Sequence, residues 1–235
     1  MYSKTHRFVM ENAIDIVSKN SLNPLFKRQV NQYKRMIMRG NVEEDRICKV
    51  HTMCLPLHGL GMSHFYDPNS KKGQLFDLFG NAKDMGIKRY NKAKKAYLKG
   101  RYMSAYYHLG GALHFIADSA TPVHIHLEPH VFDNFERYLN NNFKKVKINQ
   151  KVIKHKNIED YYHHIATAAF RFRADSSLKI YKLLPYLTGE KKRLTKKEAK
   201  EQAEFLLPLT ISYTAGLMEH FFQDVEKEII ISVKN

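Results

Sequence analysis

The chain has 235 residues, with 39 Lys+Arg against 23 Asp+Glu, a formal charge of +16 with histidine neutral, 13 histidines, two cysteines and no tryptophan. That length suits one domain with a sizeable core or two small ones, and a 43% apolar fraction with 14 Phe and 14 Tyr excludes a disordered chain despite the charge. Two cysteines are too few for a disulfide scaffold, and no stretch approaches the roughly 18–20 apolar residues of a membrane span.

The periodicity is helical almost throughout. Val9, Ala13, Ile16 and Val17 recur at spacings of three and four, predicting a helix over 6–19 that stops near Asn20. A second runs over 24–39, with Pro24 near its start and Gly40 as its end signal. Helices over 82–98 and 101–118 are separated by Lys99-Gly100. Phe132, Phe135, Leu139 and Phe143 share one side of a helix over 131–145, and 157–186 reads as one helix or two. The last helix starts near Thr195 and runs to about Lys227, with Pro208 as a kink or break. Val146-Lys147-Ile148 is the one short strand candidate. The longest non-helical stretches, 51–80 and 119–130, are rich in His, Pro and Gly. Binding residues favour such loops on a rigid scaffold. These features predict an all-α, single-domain, multi-helix bundle over 1–235.

The N-terminal stretch MYSKTHRFVMENAIDIVSKN has no apolar run of about 7–15 residues, so no secretory signal is visible. As written the chain reads as cytoplasmic; if Met1 begins a processed form, it reads as secreted. The charge predicts attraction to anionic phosphates, nucleic acid or acidic lipid surfaces, against a plain solubilising role. The runs Lys191-Lys192-Arg193 and Lys196-Lys197 read as solvated charge.

Five of the 13 histidines fall between residues 108 and 130. Within that stretch lies His114-Phe115-Ile116-Ala117-Asp118-Ser119-Ala120-Thr121-Pro122-Val123-His124. His114 and Asp118 are four apart, so they share a helix face. Pro122 ends the helix and turns the chain, and His124 can return to the same point. Two imidazoles and a carboxylate can therefore converge on a metal, and the carboxylate can bridge two ions, one on each oxygen. The bland alternative is a capping Asp beside two incidental histidines. Cys48, His51, Cys54 and His58 form a further C-x₂-H-x₂-C-x₃-H run, which reads as a loop with two thiols ahead of a metal site.

The segment HFIADSATPVH resembles the signature of the bacterial zinc-dependent phospholipases C, and the fungal single-strand-specific zinc nucleases carry a similar segment. THRFVMENAIDIVSKN resembles the first helix of the phospholipases, SHFYDPNS at 63–70 their second histidine segment, and TISYTAGLMEHFFQDV at 210–225 their last helix. The resemblance spans essentially the whole chain and leaves out the lipid-binding β-domain that some members append at the C-terminus. It implies an all-α bundle around a cleft with two to three zinc ions. Carried over, His64, His114, Asp118 and an acid of the 44–45 pair, Asp45, would hold the first. His6 and the other oxygen of Asp118 would hold the second, with the backbone of Met1. His124 and His130 would hold the third, with Asp133. His126 competes with His130, and Glu136 and Glu128 with Asp133.

The chain departs from that pattern in two places. The family's zinc-chelating N-terminal tryptophan is absent, with Met1 five residues before His6, and position 134, where a glutamate is expected, is Asn. Aromatics that mark choline selectivity are replaced by Arg46 and Gly61, which removes cation–π faces for a quaternary ammonium; Phe65 or Tyr66 can substitute. The resemblance implies a zinc-dependent hydrolase with Asp45 and Asp118 as catalytic residues. It would release diacylglycerol and a phosphorylated head group by zinc-activated water, zinc lowering the pKa of a bound water from ~15.7 to about 7. The expected partner is a phospholipid or membrane surface, and the chain is expected to be a monomer with no obligate protein partner. A single-strand zinc nuclease acting on nucleic acid is the first alternative, favoured by the charge and the Met1–His6 spacing. A non-catalytic binder of metal or anionic membrane is the second.

Overall fold

The structure is a computed structural model that describes residues 3–21, 23–50, 62–77, 80–128, 133–148, 151–175 and 193–234, the side chains of 46–50, 62, 75, 76, 233 and 234 excepted. Among the described residues it is all-α: α1 (Ser3–Asn20), α2 (Pro24–Gln32), α3 (Lys34–Val50), α4 (Ala82–Leu98), α5 (Tyr102–Ser119), α6 (Pro122–Ile125), α7 (Asn134–Asn142), α8 (Ile158–Phe170) and α9 (Lys196–Lys234). Three short 3₁₀ turns sit at Met62–His64, Gln74–Asp77 and Phe143–Lys145. No helix among the described residues is long and apolar enough to cross a membrane.

Local chemistry sets the helix starts. Asn23 accepts a hydrogen bond from the Phe26 amide with Pro24 in the first turn, and Asn81 does the same for Asp84. Each satisfies one of the amides that a helix start leaves without a partner. Thr195 and Glu198 form a reciprocal capping box at α9: the Glu198 amide donates to Thr195 Oγ1 (3.2 Å) and the Thr195 amide to Glu198 Oε2 (2.7 Å).

Helix α5 is buried along every residue from Leu109 to Ser119. A helix apolar on all sides belongs at the centre of a bundle. Helices α3 and α4 flank it, with α8 and α9 behind. The α3–α5 crossing is close because both helices lack a side chain there. A Cβ on Gly40 would lie 1.8 Å from the Tyr107 carbonyl oxygen, and one on Gly110 would lie 2.1 Å from that of Ile37. Asn41 Nδ2 donates to Gly110 O across the seam (3.3 Å).

That crossing corrects one sequence expectation. Gly40 does not end a helix. The break comes at Tyr33, between α2 and α3, and α3 runs through Gly40 to Val50. Here glycine serves interhelical contact, which outweighs its roughly 1 kcal/mol of helix propensity. Pro208 likewise does not break α9, which continues to Lys234. The residue four before Pro208 is Glu204, which is exposed, so water can take the carbonyl left without its amide. Val146–Ile148 is not a strand: it follows the 3₁₀ turn with the Val146 amide on Phe143 O. α8 ends at Phe170, 171–175 are not helical, and 176–186, the rest of that predicted helical stretch, lie outside the described residues.

Candidate metal centre

Four parts of the chain meet at the C-terminal end of α5. α1 brings His6 in its first turns, α3 brings Asp45 near its end, and the turn Met62–His64 brings His64. α5 carries His114 and Asp118, and α6 carries His124. The turn after α5 is built by Thr121, whose Oγ1 donates to Ala117 O (3.0 Å) and whose amide donates to Asp118 O (2.9 Å). Pro122 then opens α6 and the His124 amide closes on Thr121 O (2.9 Å). The Tyr66 amide donates to His124 O (3.3 Å), which ties the His64 segment to α6.

The two oxygens of Asp118 face different partners. Oδ2 lies 2.5 Å from His64 Nδ1 and 2.9 Å from His114 Nε2. Those two nitrogens are 3.2 Å apart, and Asp45 Oδ1 lies 3.5 Å from His114 Nε2 and 4.0 Å from His64 Nδ1. A tetrahedral ion with bonds of about 2.0–2.1 Å has ligand–ligand edges of about 3.3–3.4 Å. The edges among Asp45, His64, His114 and Asp118 fall on either side of that length. Oδ1 of Asp118 faces His6 Nε2 (3.8 Å) and His124 Nδ1 (3.6 Å). The His6 ring stacks on His114, with centroids 4.3 Å apart and planes 10° from parallel.

Burial makes this cluster costly on its own. His6, His64, His114, Asp118 and His124 are all buried, whereas the Asp45 side chain is 34% exposed. Desolvation and the neighbouring His114 push the His6 pKa well below its ordinary value, so its ring is neutral and keeps a lone pair. Burial opposes ionisation of Asp118, but His114 and His64 outweigh it and hold the carboxyl well below the usual carboxylate range. Neither ring nitrogen of His6, nor Nδ1 of His114, has a hydrogen-bond partner among the described residues. Each such buried polar atom costs roughly 1–3 kcal/mol. Imidazole and carboxylate donors around a bridging carboxylate are the set that suits zinc. Two groups among the described residues can hold an ion: His6, His114 and Asp118; and Asp45, His64 and His114. By donor chemistry and by buried nitrogens without partners, the residues present fit the metal.

Met1 and His130 lie outside the described residues. Asp133 is fully buried and caps α7: its Oδ1 accepts from the Glu136 amide (2.7 Å), while Oδ2 has no hydrogen-bond partner among the described residues. Burial, with Glu136 nearby, raises its pKa to about 7. His126 is engaged elsewhere, its Nε2 on Phe172 O (2.8 Å) and its ring stacked on Phe170. Glu44 turns away from the cluster, its Oε1 taking Arg89 Nε (3.0 Å) and Nη2 (2.8 Å). Tyr66 is buried in the core with its hydroxyl on His163 Nδ1 (3.1 Å), so it offers no face to a head group. Phe65 is buried against the His124 ring. Gly61, His51, Cys54, His58 and the side chains of Arg46 and Cys48 lie outside the described residues.

Two charged groups outside the cluster carry no signature in the sequence. One is Arg89, on the face of α4 that meets Glu44. The other is Asp175, fully buried, whose oxygens accept from the amides of Asn134 (2.7 Å) and Leu194 (2.7 Å). Both act through partners more than 15 positions away, which no local pattern reports.

No protein-family model matches the chain. A phospholipase C of Listeria monocytogenes is 28% identical over 122 residues, covering 51% of this chain and 40% of that protein. A phospholipase C of Bacillus cereus is 27% identical over 124 residues, covering 51% and 41%. Among solved structures, the alpha-toxin of Clostridium perfringens matches with a TM-score of 0.68 and that of Clostridium absonum with 0.66, each at 18% identity over 94% of this chain and 63% of theirs. The structural likeness establishes the fold. The chain resembles the bacterial phospholipases C in sequence over about half its length and has the all-α fold of the alpha-toxins over nearly all of it. Its match spans about 40% of the curated relatives' own length.

Proposed function

We propose that this chain is a zinc-dependent phosphodiester hydrolase of the phospholipase C type, with 1–235 as one catalytic domain. The observation that carries the reading is the placement of Asp118, whose Oδ2 faces His64 and His114 and whose Oδ1 faces His6 and His124. In this reading Asp45, His64, His114 and Asp118 hold one ion, and His6 and Asp118 a second with Met1. His124, His130 and Asp133 hold a third. Zinc would supply activation of water at neutral pH and charge neutralisation on the phosphoryl oxygens.

The chain's own residues do the rest. The neutral His6 ring offers a lone pair at no protonation cost. The buried histidines exclude bulk water from one side, which strengthens every charge interaction there. Asp45 lies on the solvent side of the cluster, where the carboxylate oxygen not turned to the imidazoles would orient the attacking water and accept its proton. The substrate is a glycerophospholipid, cleaved to diacylglycerol and a phosphorylated head group, and the +16 charge favours anionic surfaces.

The test offers purified protein several phospholipids and single-stranded DNA side by side, with and without a chelator. Chelator-sensitive release of phosphorylated head groups is expected, with two to three zinc ions per chain by metal analysis. Nucleotide release without head-group release would overturn the phospholipase reading. Absence of zinc after reconstitution would overturn the metal centre.

A further inference from the structure

The acidic triplet at the end of α3 fans out to three different partners. Glu43 pairs with Arg39 Nε (2.9 Å) and accepts from the Tyr107 hydroxyl (3.2 Å). Glu44 is buried and takes two donors of Arg89 on one oxygen, at 3.0 and 2.8 Å. Asp45 alone turns to His114 and His64. Successive residues on a helix point about 100° apart, so the rotation of α3 decides which acid reaches the imidazoles.

The Glu44–Arg89 pair bears on that rotation. It joins three helices: Glu44 on α3, Arg89 on α4, and α5 at Gly111, where a Cβ would lie 2.9 Å from Glu44 Oε2 and 3.3 Å from Arg89 Cδ. Gly111 precedes His114 by one turn. Arg89 Nη1 also lies 3.4 Å from His108 Nδ1, one turn further back on α5. A buried ion pair is seldom more stabilising than an apolar pair of the same volume. What it adds is direction, because two guanidinium N–H groups converging on one carboxylate oxygen hold it in few orientations. An apolar pair would let α3 turn. A turn of about 20° at the radius of a carboxylate moves it by roughly 2 Å, given the ~2.3 Å radius of the Cα cylinder and the added side-chain length. That is enough to take Asp45 out of reach of His114.

We infer that Glu44 and Arg89 are positioning residues, whose largely buried ion pair sets α3 so that Asp45 Oδ1 stands over His114 Nε2 and His64 Nδ1. The inference rests on the reading of Asp45 as a metal ligand. It is tested with the apolar pair Glu44→Leu/Arg89→Met, with Arg89→Lys, which keeps the charge and loses the fork, and with Asp45→Asn as reference. Zinc is titrated against a chromophoric competitor, and fold is followed by circular dichroism and thermal midpoint. Asp45→Asn and the apolar pair are expected to weaken one ion by roughly 10–100-fold, the range for lost supporting contacts at metal sites. The remaining ions and the melting temperature of the apolar pair stay close to wild type. Arg89→Lys should show the same selective loss, smaller in size, and it carries the test if the apolar pair does not fold. A folded apolar pair, or a folded Arg89→Lys, that holds every ion as tightly as wild type while Asp45→Asn loses one overturns the inference. If wild type binds no zinc, or Asp45→Asn binds it unchanged, the metal-centre reading itself is overturned.

Discussion

Gly110→Ala separates packing from propensity at the point where the site is set. On propensity alone the change stabilises α5 by about 1 kcal/mol. The geometry opposes this. The new Cβ would stand 2.1 Å from Ile37 O and 2.9 Å from Asn41 N, where ordinary contact begins near 3.4 Å. Both atoms are backbone, so no side chain can swing aside, and α3 must retreat by roughly 1 Å to relieve the overlap. Retreat also strains the Asn41–Gly110 hydrogen bond, worth about 1 kcal/mol. Overpacking of this kind costs about 1–3 kcal/mol, so the net effect is a loss of about 1–3 kcal/mol. Asp45 lies one turn beyond Asn41, and its 3.5 Å approach to His114 opens with the helix. Urea denaturation of metal-free protein reads the first effect and zinc competition the second. The expected outcome is a lower midpoint and one ion weakened by roughly tenfold or more. A Gly110→Ala chain that is about 1 kcal/mol more stable and binds zinc unchanged would refute the reasoning, because α3 would then not be held against the backbone of α5.

Asp118→Asn should abolish hydrolysis and lose tightly held zinc, with helicity by circular dichroism largely kept, because the residue is needed for charge and not for the ladder of α5. Chelation should lower the thermal midpoint and zinc should restore it, since binding to the folded state alone stabilises it by mass action. Asp175→Asn should lower stability by about 1–3 kcal/mol in denaturation, because an amide nitrogen cannot accept the backbone donor that an oxygen of Asp175 accepts. Glu198 has its pKa lowered to about 2 by the Thr195 amide, the Thr195 hydroxyl and Arg173. Its folded value lies below its unfolded one, so its contribution is present above about pH 4.3 and fades as pH falls toward 2. Glu198→Gln should flatten the acid limb of the melting curve in that window and leave pH 7 hydrolysis unchanged.

Local spacing carried the parts of the site that are local. His114 and Asp118 share a face because four residues make about one turn, and Pro122 turns the chain so that His124 comes back. His6 and His64 carry no such signal, since their meeting with Asp118 depends on how α1 and the Met62–His64 turn pack on α5. For them only the resemblance of THRFVMENAIDI and SHFYDPNS was informative. Glu44 and Asp45 are adjacent acids that composition cannot tell apart; Arg89, 45 positions away from Glu44, draws one of them off. Gly40 shows the same limit in the fold. A glycine after a helical run reads as a stop, and only the Tyr107 carbonyl packed against it explains why the helix continues.

The substitution at position 134 has a structural account of its own. Asn134 is part of the joint between α7 and the start of α9: its Nδ2 donates to Leu194 O (2.8 Å), its Oδ1 accepts from Arg193 (3.2 Å), and its amide donates to Asp175 (2.7 Å). A glutamate there has no donor for Leu194 O, so the joint and a ligand at 134 compete for one side chain. The adjacent Asp133 has an oxygen to offer. Its Oδ1 caps α7, which fixes the carboxyl plane, and Oδ2 is left buried without a hydrogen bond among the described residues. Burial with Glu136 nearby raises its pKa to about 7. A cation would favour the ionised form and draw the pKa back down. Asn134 is thus committed to the joint, and in the proposed reading Asp133, shorter by one methylene than the glutamate it would replace and held in place by the cap, is the carboxyl left to serve as ligand.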